Sequence, residues 1–421
     1  MKVLMLGWEY PPHISGGLGT ACEGLTSALA NQGVSINFVV PYLTGDEDAA
    51  HMQLLDLDKS KPQFEKDFAE RVKKLPIPST LSPYQNTESF DQLMTQIEHN
   101  RAELLSYPKS QNMLKRQVHY GSNIFEEVER YAARVVDKAE DLVYDAIHAH
   151  DWMTYPAGVA LSRLSKKPLV VHVHSLEFDR SGEHVNPRIN EIEKGGIEAA
   201  RAVIAVSHYT ASLIRRFHNV EEKIHVVHNG VYQDKEKDAY RESEDELKNV
   251  LFLGRITFQK GPDYFIQAAL KVLQRMQNVR FVMAGSGDML EPLKALVGNT
   301  GLSQHFSFPG FLKGDEVERA FATADLYVMP SVSEPFGISA LEAVNFETPV
   351  ILSKQSGVSE VLQHALKVDF WDTDRMADLI VNSLLYPELR QDLLSMARQE
   401  VKRLRWDAAA SKTREVYSSI V

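Results

Sequence analysis

The sequence predicts an α/β protein made of two doubly wound domains of mainly parallel sheet. Three observations carry that expectation. Apolar runs of strand length alternate with stretches of helical period, the alternation pauses at a charge-dense segment and restarts, and 421 residues are too many for one ordinary core.

The first domain, 1–231, opens with an apolar strand at 2–6. Leu18, Ala21, Cys22, Leu25, Ala28 and Leu29 then recur at the spacing of a helix that ends near Gly33, and a strand at 36–40 completes a βαβ unit. From 44 to about 118 the pattern weakens, which reads as an insertion with helices around 64–72 and 90–105. An amphipathic helix over 124–143 leads into a strand at 146–149. Strands at 169–173, 202–206 and 224–227 alternate with helices at 155–164, 190–200 and 209–217.

Residues 232–248, dense in Asp, Glu and Lys, read as a solvated connection. The second domain, 249–405, repeats the pattern with strands at 250–253, 280–284, 306–308, 326–329, 350–352 and 366–368, and helices at 262–276 and 289–297. Everything from Met376 onward has helical character, the last piece spanning 406–417.

Composition excludes several functions. A net charge of −11 argues against wide binding to a nucleic-acid backbone, and a single cysteine, Cys22, leaves no intrachain disulfide and no cysteine-based zinc site. Cys22 reads as a small core side chain. No stretch approaches 18 apolar residues and the apolar start at 1–6 is too short for a signal, so no transmembrane segment and a cytoplasmic location are expected.

The most informative stretch is 325–342. A short buried strand is broken by Pro330, and Ser333-Glu334-Pro335-Phe336-Gly337 then precedes a helical run at 336–343, where a strand's carboxyl end meets a helix. Glu334 reads either as a helix N-cap or as a ligand-binding carboxylate. Glu342 lies eight residues on, about 12 Å along a helix axis, which would put both carboxylates on one side of one element.

Other strand ends carry similar chemistry. Gly16-Gly17 before the first helix offers backbone N–H groups to a phosphate or merely makes a tight turn. Arg255 and Lys260, in Gly254-Arg255-Ile256-Thr257-Phe258-Gln259-Lys260-Gly261, form either a diphosphate grip or a solvated surface pair. Gly285-Ser286-Gly287 has Leu290 where a dinucleotide fingerprint needs glycine, so it reads as a tight turn near a nucleotide. Asp372-Thr373-Asp374 looks like a metal-binding triplet, but Thr373 or Asp374 reads better as a helix cap, and no metal site is expected.

The Glu-Pro-Phe-Gly…Leu-Glu pattern of 334–342, the Gly-Arg…Lys-Gly of 254–261 and His148-Ala149-His150-Asp151-Trp152 resemble retaining glycosyltransferases of the glycogen-synthase and sucrose-synthase group. That resemblance implies the GT-B fold, with two Rossmann-like domains facing a central cleft and a final helix, 406–421, crossing back to the first domain. It assigns the donor sugar to Glu334 and the nucleotide ribose to Glu342, with Pro335, Phe336, Gly337 and Ile338 lining the donor. It gives the leaving diphosphate to Arg255 and Lys260 and the reacting centre to His150, with His174 a looser match. Gly285 would lie near the nucleotide and Leu312 beside its base. Phe311 either stacks on that base or is a core side chain.

Trp8-Glu9-Tyr10-Pro11-Pro12-His13 with the following Gly-Gly-Leu looks most like bacterial and archaeal glycogen synthases. The expected activity is therefore metal-independent, retaining transfer of glucose from ADP- or UDP-glucose to an α-1,4-glucan end, without a cofactor. Ile14 departs from the pattern, since many such synthases carry Lys two residues before the Gly-Gly pair. The nearest rival is a hexosyltransferase of the same fold acting on a lipid, a cell-surface glycan precursor or a small sugar. A nucleotide-sugar epimerase and a non-catalytic sugar binder fit the motifs less well.

Overall fold

The computed structural model describes residues 1–12, 17–41, 43, 45–57, 124–218, 220–232 and 247–421. The amino-terminal sheet contains β1 (Lys2–Leu6), β2 (Ser35–Val40), β3 (Gln53–Asp56), β4 (Ala146–His150), β5 (Leu169–Val173), β6 (Ala202–Ala205) and β7 (Ile224–Val226). Its order is β3-β2-β1-β4-β5-β6-β7, with every pair parallel. The helices of this part are α1 (Gly17–Asn31), α2 (Ile124–Ala139), α3 (Tyr155–Ser165), α4 (Glu177–Ser181), α5 (Pro187–Ala199) and α6 (His208–His218). Apolar clusters on both faces explain why β4, β5 and β6 are buried at every position.

The second sheet holds β8 (Lys248–Leu253), β9 (Val279–Ala284), β10 (Phe306–Gly310), β11 (Leu326–Met329), β12 (Val350–Ser353) and β13 (Leu366–Val368). They are parallel in the order β10-β9-β8-β11-β12-β13. Around it lie α7 (Pro262–Leu273), α8 (Leu290–Asn299), α9 (Asp315–Ala322), α10 (Ile338–Asn345), α11 (Thr373–Leu385) and α12 (Pro387–Val401), with α13 (Trp406–Ile420) last. In each sheet the chain reverses its direction of winding once, between β1 and β4 and between β8 and β11. Ligands of such sheets bind at the carboxyl ends of the strands flanking that reversal.

The differences from the sequence reading have local causes. β3 falls inside the expected insertion because an edge strand needs little apolar signal, and Leu55 is its one buried residue. The five residues of α4 are too few to show a period. α9 escapes because its first turn carries Asp315, Glu316 and Glu318, and it buries only Phe321 and Ala322. β8 begins at Lys248, within the stretch read as a connection. The helices expected around 64–72 and 90–105 lie outside the described residues.

The final helix, α13, lies against α1 of the amino-terminal domain. Trp406 and Tyr417 are buried there among Cys22, Leu25 and Val416. The Tyr417 hydroxyl bonds His148 Nδ1 at 2.6 Å. The seat depends on a small residue opposite, because a Cβ on Gly24 would come within 2.1 Å of the Trp406 ring. Gly24→Ala should therefore cost about 1–3 kcal/mol by overpacking, read as a lower Tm with altered Trp406 fluorescence.

Candidate active site between the two domains

The carboxyl ends of β8 and β11 put two charged turns side by side. The Gln259 carbonyl accepts the N–H groups of Val332 at 2.9 Å and Ser333 at 3.4 Å. Gly261 has φ +64°, and a Cβ there would lie 2.2 Å from the Pro330 carbonyl oxygen, so only glycine lets the turns approach this closely. As a result Lys260 Nζ donates to Glu334 Oε2 at 2.5 Å, and Ser331 Oγ donates to the same oxygen at 3.3 Å. Both charges are largely withdrawn from water, at 21% and 8% side-chain exposure. The recess they border is also lined by Leu253, Tyr327, Ser331 and Ser339.

Glu334 does not share a helix with Glu342, contrary to the sequence expectation. The N-cap of α10 is Gly337, whose φ of +104° turns the chain abruptly, so Glu334 sits in the loop before it. There its N–H donates to Gln355 O at 2.9 Å and its carbonyl accepts from Gly357 at 2.9 Å, in a one-residue parallel bridge to Ser356. Pro335 and Phe336 are buried, Phe336 in the apolar cluster of this domain, while Ile338 and Glu342 are half-buried on the first turns of α10.

Arg255 is exposed and donates to Gln259 Oε1 at 3.2 Å, and its charge is felt by Asp151 of the other domain. The Gly285 N–H donates to Gly310 O at 2.7 Å, which ties the β9 and β10 ends together. Phe311 is 46% exposed, with Lys313 Nζ 5.8 Å from its ring centre, so it is no core side chain, whereas Leu312 packs on the core. In the 372–374 triplet the cap of α11 is Asp372, not Thr373 or Asp374: its carboxylate accepts the Arg375 N–H at 2.9 Å.

In the amino-terminal domain Gly17 begins α1 and is exposed, and Gly16 lies outside the described residues. His148 and His150 share one face of β4, His172 pairs with His150 across β5, and His174 follows just beyond. The four rings stack, with neighbouring centres 4.2–5.3 Å apart. His150 Nδ1 meets His174 Nε2 at 3.0 Å. His150, expected to touch the donor, has no exposed surface here, whereas His174 is half-buried as a residue. Burial holds His148 at a pKa of about 3 and pushes His150 and His172 well down, so these rings are neutral.

Donor atoms of Cys22, His150 and His174, and of His148, His150 and His172, fall within 4.8 Å of one another. In the second group the three rings are stacked, and in the first His150 Nδ1 lies 3.0 Å from His174 Nε2. Asp151, next to His150, has φ 59° and ψ 167°, a region nearly reserved for glycine. Its carboxylate offsets that strain by accepting the N–H groups of His174 at 2.8 Å and Ser175 at 3.2 Å.

Several side chains that hold the domains together were not singled out from the sequence. Ser207 Oγ and Thr210 Oγ1 donate to the Pro335 carbonyl, at 2.6 and 3.2 Å. Glu360 accepts the His208 N–H at 2.9 Å and the Tyr209 N–H, at the start of α6, and lies 3.2 Å from His228 Nε2. Ser333 Oγ bonds the Tyr209 hydroxyl at 2.8 Å and donates to Asp179 Oδ1 at 2.5 Å. The available signal was the run Glu177-Phe178-Asp179-Arg180, charged residues just past a strand end.

Two facing Rossmann-like domains with their switch points turned to one cleft define the GT-B fold. Residues 2–227 match the starch synthase catalytic domain and residues 233–400 match the glycosyl transferases group 1. The chain therefore belongs to the starch synthase-like glycosyltransferases. It is 30% identical to an uncharacterized glycosyltransferase of Methanocaldococcus jannaschii, over 99% of this chain and 98% of that one. It is 24% identical to the glycogen synthase of Mycobacterium tuberculosis, over 99% and 94%. Among solved structures it resembles Anabaena HepE in complex with UDP-glucose, with TM-score 0.68 at 17% identity and full coverage of both chains. No helix among the described residues is long and apolar enough to cross a membrane.

The buried histidines make stability pH-dependent. His148 falls from 6.5 unfolded to about 3 folded; the unfolded chain then binds more protons between those values, and stability is lost as pH falls through that window. Glu193, raised to about 8 by burial, acts oppositely and loses its contribution as pH rises from 4.5. Asp151 and Asp179, each raised to about 6 by burial, act in the same sense as Glu193, whereas His174 at about 3, His218 at about 4 and the lowered His150 and His172 add to the loss on the acid side. The Tm should fall from about pH 6.5 downward, and His172→Leu, which removes two unpartnered ring nitrogens, should flatten that fall in a thermal series.

Proposed function

We propose that this enzyme is a metal-independent, retaining transferase that moves glucose from ADP- or UDP-glucose to the end of an α-1,4-glucan. The observation that carries the reading is the pairing of Lys260 with Glu334 at the β8–β11 switch point. One group suits a departing diphosphate and the other a sugar that gains positive charge. The full-length similarity to a glycogen synthase supports the glucan acceptor. A fold neighbour holding UDP-glucose supports the donor class.

In this mechanism the donor lies in the recess of the second domain, with Glu342 on the ribose and the base bordered by Phe311 and Leu312. Lys260 and Arg255 neutralise the diphosphate as its bond to the sugar breaks, so a divalent ion is not required. The α1 amino terminus at Gly17 adds N–H groups from across the cleft. Glu334 orients the glucosyl unit and balances the oxocarbenium-like charge at the anomeric carbon. The acceptor hydroxyl attacks on the face the diphosphate leaves, and its proton passes to a phosphate oxygen. The His174 edge closes the amino-terminal wall, backed by His150.

The test is incubation with ADP-glucose, UDP-glucose or GDP-mannose, with and without glycogen primer and with and without EDTA, following nucleotide release and chain length. Primer-dependent release of ADP or UDP that survives EDTA, with lengthening chains, is expected; release only to a lipid or small-sugar acceptor, or not at all, would overturn the assignment. Lys260→Ala and Glu334→Ala should each lower kcat by about 100-fold or more with unchanged circular dichroism.

A further inference from the structure

We infer that Asp179, in the amino-terminal domain, is the positioning residue that holds the Ser333–Glu334 turn of the other domain in its working geometry. The inference rests on the transferase reading for its catalytic consequence, but its geometry stands without it. Asp179 is 1% exposed and uses both carboxylate oxygens. Oδ2 accepts the Leu176 N–H at 2.7 Å, which caps α4, and a purely local role would end there. Oδ1 instead reaches across the cleft to Ser333 Oγ, whose residue directly precedes Glu334.

α4 is built to be an unyielding support. Glu193 accepts the Glu177 N–H with both oxygens, at 2.8 and 3.1 Å, and Arg180 spans Glu193 at 2.7 Å and Glu177 at 3.0 Å. The same helix packs against the 258–260 turn, and Gly182 at its end faces Phe258. One short helix of the acceptor-side domain therefore touches both donor-side turns, the one bearing Lys260 and the one bearing Glu334. With Tyr209 on Ser333 and Ser207 on Pro335, the residues on both sides of Glu334 are anchored from the opposite domain. Such support fixes a reacting group to within a fraction of an ångström only while the domains are closed.

Asn at 179 can keep its oxygen on the Leu176 N–H and donate its NH2 to the Ser333 hydroxyl, so Asp179→Ala is the variant that breaks the contact, and Ser333→Ala removes it from the other side while leaving the α4 cap intact. The experiment compares Asp179→Ala, Ser333→Ala and the double variant. Each should lower kcat for nucleotide release by 10- to about 100-fold with the donor KM within about twofold, and the double variant should lose no more than the worse single one. The Tm values of the three should be non-additive in the same way, a readout that needs no turnover. Additive Tm losses, or Ser333→Ala with kcat within threefold of the parent, would overturn the inference. Non-additive Tm losses in a protein that cleaves no sugar nucleotide would uphold the contact and overturn the transferase reading instead.

Discussion

The contact between Lys260 and Glu334 is the interaction on which the rest of the site depends. Opposite charges drawn this far out of water stabilise one another only if the backbone fixes both ends, because the desolvation cost is otherwise not recovered. The backbone does so at the β8–β11 reversal, where two turns leave adjacent strands and Gly261 lets them meet. A carboxylate and an ammonium are thereby held ready at one spot, each able to turn to a ligand of opposite charge.

The amino-terminal domain answers with a different kind of wall. Among the described residues its switch point presents stacked, uncharged imidazoles and a strained aspartate. Rings packed this tightly make a firm interior behind the strand ends of that domain. The terminal helix locks the back of that wall through Tyr417 and His148, so the last residues of the chain stiffen a site formed by its middle.

Much of the cleft was legible because strand-end chemistry is local. The Glu-Pro-Phe-Gly turn, the Gly-Arg…Lys-Gly turn and the histidine pair of β4 each fall within a few residues of a strand whose apolar run is plain. What misled was also local: helical spacing across 336–343 suggested a common element for Glu334 and Glu342, and only the positive φ of Gly337 separates them. His150 looked able to reach a donor because its neighbours in sequence resemble a known motif. Its neighbours in space, His148, His172 and His174, enclose it.

By itself the sequence determined the alternation of strands and helices, the two-domain division and the identity of the charged and glycine residues at the strand ends, since periodicity and turn chemistry act over a few residues. The tertiary structure alone decided that β3 completes the first sheet, that His150 is sealed and that Glu334 is reached from Asp179 through Ser333. Those contacts join residues as far as 154 positions apart. Which of many compatible side chains meet at that distance depends on how the two sheets face each other, and no local pattern encodes it.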